Sequence, residues 1–162
     1  VSEVRPFNSF NTPRVSQLSQ RSNQFNLRTV RYTEADIERI SNNKDYHNFS
    51  FTLTDKYGDN GLICVIIMKS DNSATLFVDT WFMSCRVLRR GMENFTLNTI
   101  ADYAKKKGFK KIVGEYIPTP KNMMVKSHYP ELGFRDISKD NQYLFELDVD
   151  NYQNKESFIT AI

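Results

Sequence analysis

The stretch Cys85-Arg86-Val87-Leu88-Arg89-Arg90-Gly91-Met92-Glu93 places a thiol and three guanidinium groups just ahead of a segment with helical spacing. The first N–H groups of a helix lack intrahelical partners and carry partial positive charge, so a helix start there suits an anion such as phosphate. Arg90, Gly91 and Met92 would offer such amides, and Arg86 and Arg89 would add charge-assisted hydrogen bonds. The plainer alternative is that Gly91 only opens a helix and the arginines are solvated. Farther on, Glu115 lies in a strand-like run and is a candidate base or substrate contact. His128 reads as a surface histidine, and Cys64, inside an apolar run, as a core residue.

The elements that must hold these residues follow from hydrophobic periodicity. Residues 1–31 are rich in Ser, Asn, Gln and Arg, with Glu3 the only acid, and predict an extended start and a short polar helix from Arg14 to Gln24. This arm reads as a linker. Thr33-Glu34-Ala35-Asp36 has the form of a capping box, predicting a helix over 34–42. Phe49 to Thr54 alternates apolar and polar residues, as a half-buried strand does. After a turn at Tyr57–Gly61, Leu62 to Met68 is continuously apolar and predicts a strand buried on both faces. Another turn and a third strand, Thr75 to Phe82, complete an antiparallel meander. Leu97, Ile100, Ala101 and Ala104 then mark one face of a helix from Gly91 to Lys107, stopped by Gly108. A strand at 111–117, a helix from Pro120 to Tyr129 and a strand at 142–147 follow. The tail from 148 onward is polar until Phe158-Ile159.

Bulk composition excludes several classes. At 162 residues the chain suits one domain, and 12 Phe with 8 Tyr argues for a packed core rather than disorder. The longest apolar run is far below the ~20 residues a spanning helix needs, and the start lacks the apolar region of a signal peptide. A formal charge of +3 is too small to argue for nucleic acid. Lys105 to Lys107 flank a helix end, where cations suit the dipole. Two cysteines suit a reducing cytoplasm and make no disulfide framework. No metal is expected. The start at Val1 suits a piece of a longer protein, and equally a trimmed one.

The order helix, antiparallel strands, helix, strand, helix, strand resembles the GNAT acyl-CoA N-acyltransferase fold, an α/β (α+β) architecture with a mixed central sheet flanked by helices. Arg90-Gly91 matches the core of that family's Q/R-x-x-G-x-G/A signature, with Arg89 and Glu93 at its other small positions. His128-Tyr129-Pro130-Glu131-Leu132-Gly133-Phe134 resembles its Tyr and Leu-Gly-Phe hallmark, and Asn122 sits where many members carry Asn. Closer still is the C-terminal domain of FkbH-like proteins, through 14–27, Gly58-Asp59-Asn60-Gly61, 83–88 and Gly114-Glu115-Tyr116-Ile117-Pro118-Thr119-Pro120-Lys121-Asn122.

That resemblance implies a division into a linker at 1–31, a GNAT-like domain at 32–148 and a tail at 149–162. A HAD-type domain, whose aspartate motif is absent here, would precede it. It also implies coenzyme A or the phosphopantetheine of an acyl carrier protein as the group bound by Arg86, Arg89, Arg90, Gly91, Met92 and Asn122. Tyr129 would protonate the departing thiolate. Cys85, if activated by Arg86, could hold an acyl or glyceryl unit as a thioester, although free cysteines usually act as small apolar fillers. The setting implied is methoxymalonyl supply to polyketide assembly, with the carrier protein as partner. Glu93 at the last small position would repel phosphate, which implies weak binding of free coenzyme A or acceptance of a carrier's arm alone. The competing expectation is a non-catalytic module that docks the carrier.

Overall fold

The computed structural model describes residues 1–8, 11–22, 24–71, 73–84 and 91–161. Its elements are β1 (Val4–Arg5), α1 (Thr12–Arg21), α2 (Glu34–Ser41), β2 (Tyr46–Asp55), β3 (Gly58–Ser70), β4 (Thr75–Met83), α3 (Met92–Lys106), β5 (Lys111–Tyr116), a 3-10 turn (Met123–Val125), α4 (His128–Glu131), β6 (Arg135–Asp136) and β7 (Tyr143–Asp148). One seven-stranded sheet runs in the order β1-β2-β3-β4-β5-β7-β6. Every neighbouring pair is antiparallel except β4 and β5. The architecture is therefore the mixed sheet with flanking helices that the sequence leads one to expect.

The sheet separates two apolar layers. On one face, Leu97, Ile100, Ala101 and Ala104 of α3 pack with Ile63, Ile66 and Met68 of β3. On the other, Val15 and Leu18 of α1 and Ile37 and Ile40 of α2 pack on Val65, Ile67 and Phe82. The unbroken apolar run of β3 serves both layers, since successive side chains point to opposite faces. Residues 1–31 contribute Val15, Leu18, Phe25 and Leu27 to these cores. Thr33 accepts a hydrogen bond from the Asp36 N–H while the Asp36 carboxylate accepts from the Thr33 N–H, closing the expected capping box.

Three features differ from expectation. Gly58 to Gly61 belongs to β3, because Asp55 pairs with Gly58 and only Lys56 and Tyr57 remain in the hairpin loop. The helix expected from Pro120 to Tyr129 is instead a 3-10 turn followed by α4, which starts at His128 and passes through Pro130. A proline in the first turn is tolerated, since its missing N–H has no intrahelical partner there. The short edge strands β1 and β6 carry no alternating pattern long enough to announce them.

The tail turns back along α3. Asn98 holds it through Nδ2 to the Lys155 carbonyl and through Oδ1 from the Lys155 N–H, both at 2.9 Å. Asn94 Nδ2 donates to Glu156, Ser157 Oγ to the Gly91 carbonyl, and the Ser2 N–H to Thr160.

Candidate functional site

The parallel pair β4–β5 is the geometric origin of the site. It runs in register from Thr75 and Lys111 to Val78 and Gly114 and then splits. Asp79 falls at a bulge in β4, since Ile67 pairs with Thr80 and Met68 with Val78. The opening fork is filled by the chain itself. The Leu27 N–H donates to the Trp81 carbonyl and the Met83 N–H to the Phe25 carbonyl, while the Ile117 N–H donates to Leu27 at 2.8 Å. Residues 25–27 thus lie between the diverging strands and bond to both.

Arg28 ties the fork at its root. Its Nε donates to Glu115 Oε1 at 3.0 Å, and its Nη1 donates to the Asp79 carbonyl at 2.8 Å and to Asp79 Oδ1 at 3.0 Å. The Phe77 ring centroid lies 5.2 Å from the guanidinium carbon. Tyr32 donates its hydroxyl proton to Asp79 Oδ2. Burial and the neighbouring Asp79 charge hold that phenol above the usual tyrosine range. Glu115 is therefore engaged in an ion pair at the fork.

Asn122 is wholly buried and its amide is saturated. Nδ2 donates to the Asn26 and Ile117 carbonyls at 3.0 and 2.9 Å, and Oδ1 accepts from the Thr119 N–H at 2.7 Å. The residue expected to touch the cofactor is instead a clamp joining the fork filler to the β5 exit. Both amide hydrogens are already used, so none is left for a ligand.

An aromatic group stands beside the fork. The His128 ring centroid lies 4.4 Å from Trp81, 4.9 Å from Phe25 and 5.2 Å from Tyr129. Tyr129 is 1% exposed and stacks with Phe145, its ring lying against Gly114. His128 Nε2 and the Tyr129 hydroxyl are both buried without a hydrogen-bond partner. Burial raises the Tyr129 phenol far above its ordinary value. His128, expected at the surface, is 6% exposed, and burial pushes its imidazole down to about 3. The ring is then neutral at pH 7.

That shift carries a pH prediction. A folded-state value below the unfolded ~6.5 gives stability that is fully present above pH 6.5 and is lost as pH falls from there towards 3. At about 1.4 kcal/mol per pH unit, roughly 3 kcal/mol should be gone at pH 4.5. Urea unfolding at pH 7.5 and 4.5 should show the wild type losing about that much more than His128→Gln. Equal losses in the two proteins would remove His128 as the cause.

Two hollows meet at this group. A cleft of about 360 Å³ lies between the start of α3 and the 124–132 segment, lined by Glu93, Asn94, Ser127, His128 and Phe25 among others. A groove of about 900 Å³ lies along α1 and is lined by Arg14, Arg21, Ser22, Phe25, Ser84 and Lys121 among others. Phe25 borders both.

Of the other residues singled out in the sequence, Gly91 caps α3 at φ +83°, a left-handed conformation that favours glycine. Its carbonyl accepts from Phe95. Met92 turns its side chain into the core, leaving only its backbone for an anion. Cys85, Arg86, Arg89 and Arg90 lie outside the described residues. Cys64 is buried at 3.6 Å from Thr96 Oγ1, and burial pushes its thiol up to about 12. Among the described residues no group of three or more His, Cys, Asp or Glu could hold a metal ion, and no helix is long and apolar enough to cross a membrane.

Sequence reasoning missed Arg28, Asp79, Tyr32 and Phe25. Asp79 offered one signal, a charge inside an apolar strand. Arg28 offered none, because its partners stand 51 and 87 residues away.

No protein-family model and no curated protein matches the sequence. Solved structures do. The ribosomal-protein-S18-alanine N-acetyltransferase from Escherichia coli aligns with a TM-score of 0.69 at 14% identity, over 98% of this chain and 100% of its own. The GNAT domain of S. lividans PAT gives 0.69 at 16% identity, over 90% and 89%. A PaiA N-acetyltransferase from Thermoplasma acidophilum, in complex with coenzyme A, gives 0.67 at 16% identity, over 91% and 99%. These alignments establish that the chain has the fold of the GNAT acetyltransferase domains it aligns with.

Proposed function

We propose that this domain transfers an acyl group from a thioester of coenzyme A, lodged in the cleft between α3 and α4, to an acceptor. The observation that carries this reading is the unpartnered, buried Nε2 of His128, a residue that lines the cleft of a GNAT fold beside the likewise unpartnered Tyr129 hydroxyl. Buried polar groups in native proteins normally have partners, and a thioester sulfur reaching that wall would provide one. The coenzyme A complex of the PaiA neighbour supports the choice of ligand.

In the transfer, the acceptor's nucleophilic atom bonds to the carbonyl carbon and the C–S bond breaks with its electron pair on sulfur. The proton lost by the acceptor balances the one taken up by the thiolate. Tyr129 is the donor of that proton, and the proton released by the acceptor restores its phenol. The dry surroundings that raise the phenol raise a thiol beside it as well, which keeps the exchange near balance. Gly91 and Met92 amides, with Arg86, Arg89 and Arg90, receive the phosphates, while Glu115 and Asn122 position the fork. The acyl unit in this reading includes glyceryl on a carrier's phosphopantetheine. Cys85 would take it by thioester exchange, its sulfur bonding to the carbonyl carbon as the carrier sulfur leaves.

A second reading is favoured by one observation: the fork is occupied by the chain's own backbone, while exposed Met123 and Met124 stand between Lys121 and Lys126. That surface suits docking of an acidic carrier protein for an adjacent HAD-type domain, without turnover.

Calorimetry and thiol release separate the two. Acetyl-coenzyme A at 100 times its Kd should stabilise the domain by about 2.7 kcal/mol. Tyr129→Phe should retain that affinity and slow thiol release about 100-fold. Absence of saturable binding by acetyl-coenzyme A would overturn the acyl-transfer reading. Binding of a phosphopantetheinylated carrier alone would favour docking.

A further inference from the structure

We propose that the groove along α1 binds an acceptor carrying an anionic oxygen group, a phosphate or a carboxylate, and that Phe25 is the partition across which it meets the thioester. This rests on the acyl-transfer reading and adds the substrate class.

The placement comes from the fork. Residues 26–28 close it with backbone and with the Arg28 ion pairs, so the α1 side has no route between β4 and β5 at that level. One residue earlier the backbone still bonds to β4 through the Met83 N–H, and beyond that bond the barrier is the Phe25 side chain. Phe25 is 5% exposed and lines the cleft on one side and the groove on the other. Its ring also sits edge-on to His128, whose Nε2 is buried and unpartnered. The two hollows approach each other at this ring.

The charge of the groove then selects the ligand. Arg14, Leu18 and Arg21 stand at i, i+4 and i+7 and form one stripe of α1. Lys121 faces that stripe from the corner after β5. Every charged residue among those described as lining the groove is a cation. The cleft on the other side of Phe25 carries Glu93 and Glu131 instead. Guanidinium forks match planar carboxylates and phosphates with paired hydrogen bonds, so the α1 side of the ring suits the anionic group of an acceptor. In this proposal Phe25 is the side chain that has to turn aside for the nucleophile to reach the thioester carbon.

The test is an amide-resolved NMR titration of the folded domain with inorganic phosphate and, separately, citrate. Saturable shifts at Ser22, Phe25 and Ser84 are expected with at least one of them, and the tighter probe identifies the anion class. Arg21→Glu with Lys121→Glu should weaken that binding at least tenfold and leave any shifts at Gly91 and Met92 unchanged. Shifts confined to Gly91 and Met92, or groove shifts indifferent to the charge reversal, would overturn the groove and leave acyl transfer standing. Groove binding in a protein that fails to bind acetyl-coenzyme A would overturn the acceptor role while keeping the anion site.

Discussion

Gly114→Ala is expected to destabilise the domain by about 3 kcal/mol, at the upper end of what overpacking a core costs. A Cβ built there would lie 2.2 Å from Cζ of Tyr129 and 2.5 and 2.7 Å from its Cε atoms. Elsewhere such a clash is relieved by a small shift of the ring. Here the ring is held by Phe134 and Phe145, with centroids at 4.9 and 5.7 Å, and by Trp81 at 6.2 Å. Thermal unfolding should show Tm lower by about 6–12 °C, using 2–4 °C per kcal/mol for a domain of this size. The backbone of Gly114 lies in regular strand pairing with Phe145, so the effect is steric. Tyr129→Leu vacates the region the new methyl would occupy. The double variant should therefore be more stable than the sum of the two single losses allows. Strict additivity would show that the ring relaxes freely and that Gly114 has no special bearing on Tyr129. The same close approach sets the depth of the phenol relative to the cleft, so the glycine is a positioning residue for the proposed proton donor.

Arg28→Met should lose about 3–5 kcal/mol, the range seen when one partner of a buried charge group is removed. The loss arises less from the two ion pairs than from what remains. Asp79 and Glu115, with 21% and 13% of their side chains exposed, would face each other across the fork with no cation between them. Combining Arg28→Met with Asp79→Asn and Glu115→Gln removes that repulsion and should recover about half of the loss in urea unfolding. A loss below about 1 kcal/mol for Arg28→Met alone would place the network among solvated pairs of small worth. Because Arg28 follows directly on the fork filler, its loss should also loosen residues 25–27. Hydrogen exchange at the Leu27 and Ile117 amides, which bond to Trp81 and Leu27, would report it.

The sequence alone carried the order of the main elements, most of their boundaries to within a few residues and the fold class, because these rest on local terms. The capping box at Thr33, the apolar face of α3 and the two-sided run of β3 each signal themselves within a dozen residues. Gly91 was recognisable as a helix opener for the same reason. What the sequence could not show was the company each candidate keeps. Glu115 read as an available carboxylate and proved to be Arg28's partner across 87 residues. Asn122 read as a ligand contact and proved to be a saturated clamp on Asn26, 96 residues away. His128 read as a surface residue because a histidine near the end of the helix expected over 120–129 has no local reason to be buried. Its burial comes from Phe25, in the segment between α1 and α2, and from Trp81 of β4. Periodicity reports which way a side chain faces, whereas desolvation and pairing depend on which distant segment arrives opposite it. The fold was therefore written locally, and the chemistry of the fork was decided only where strands β4 and β5 part and residues 25–28 come between them.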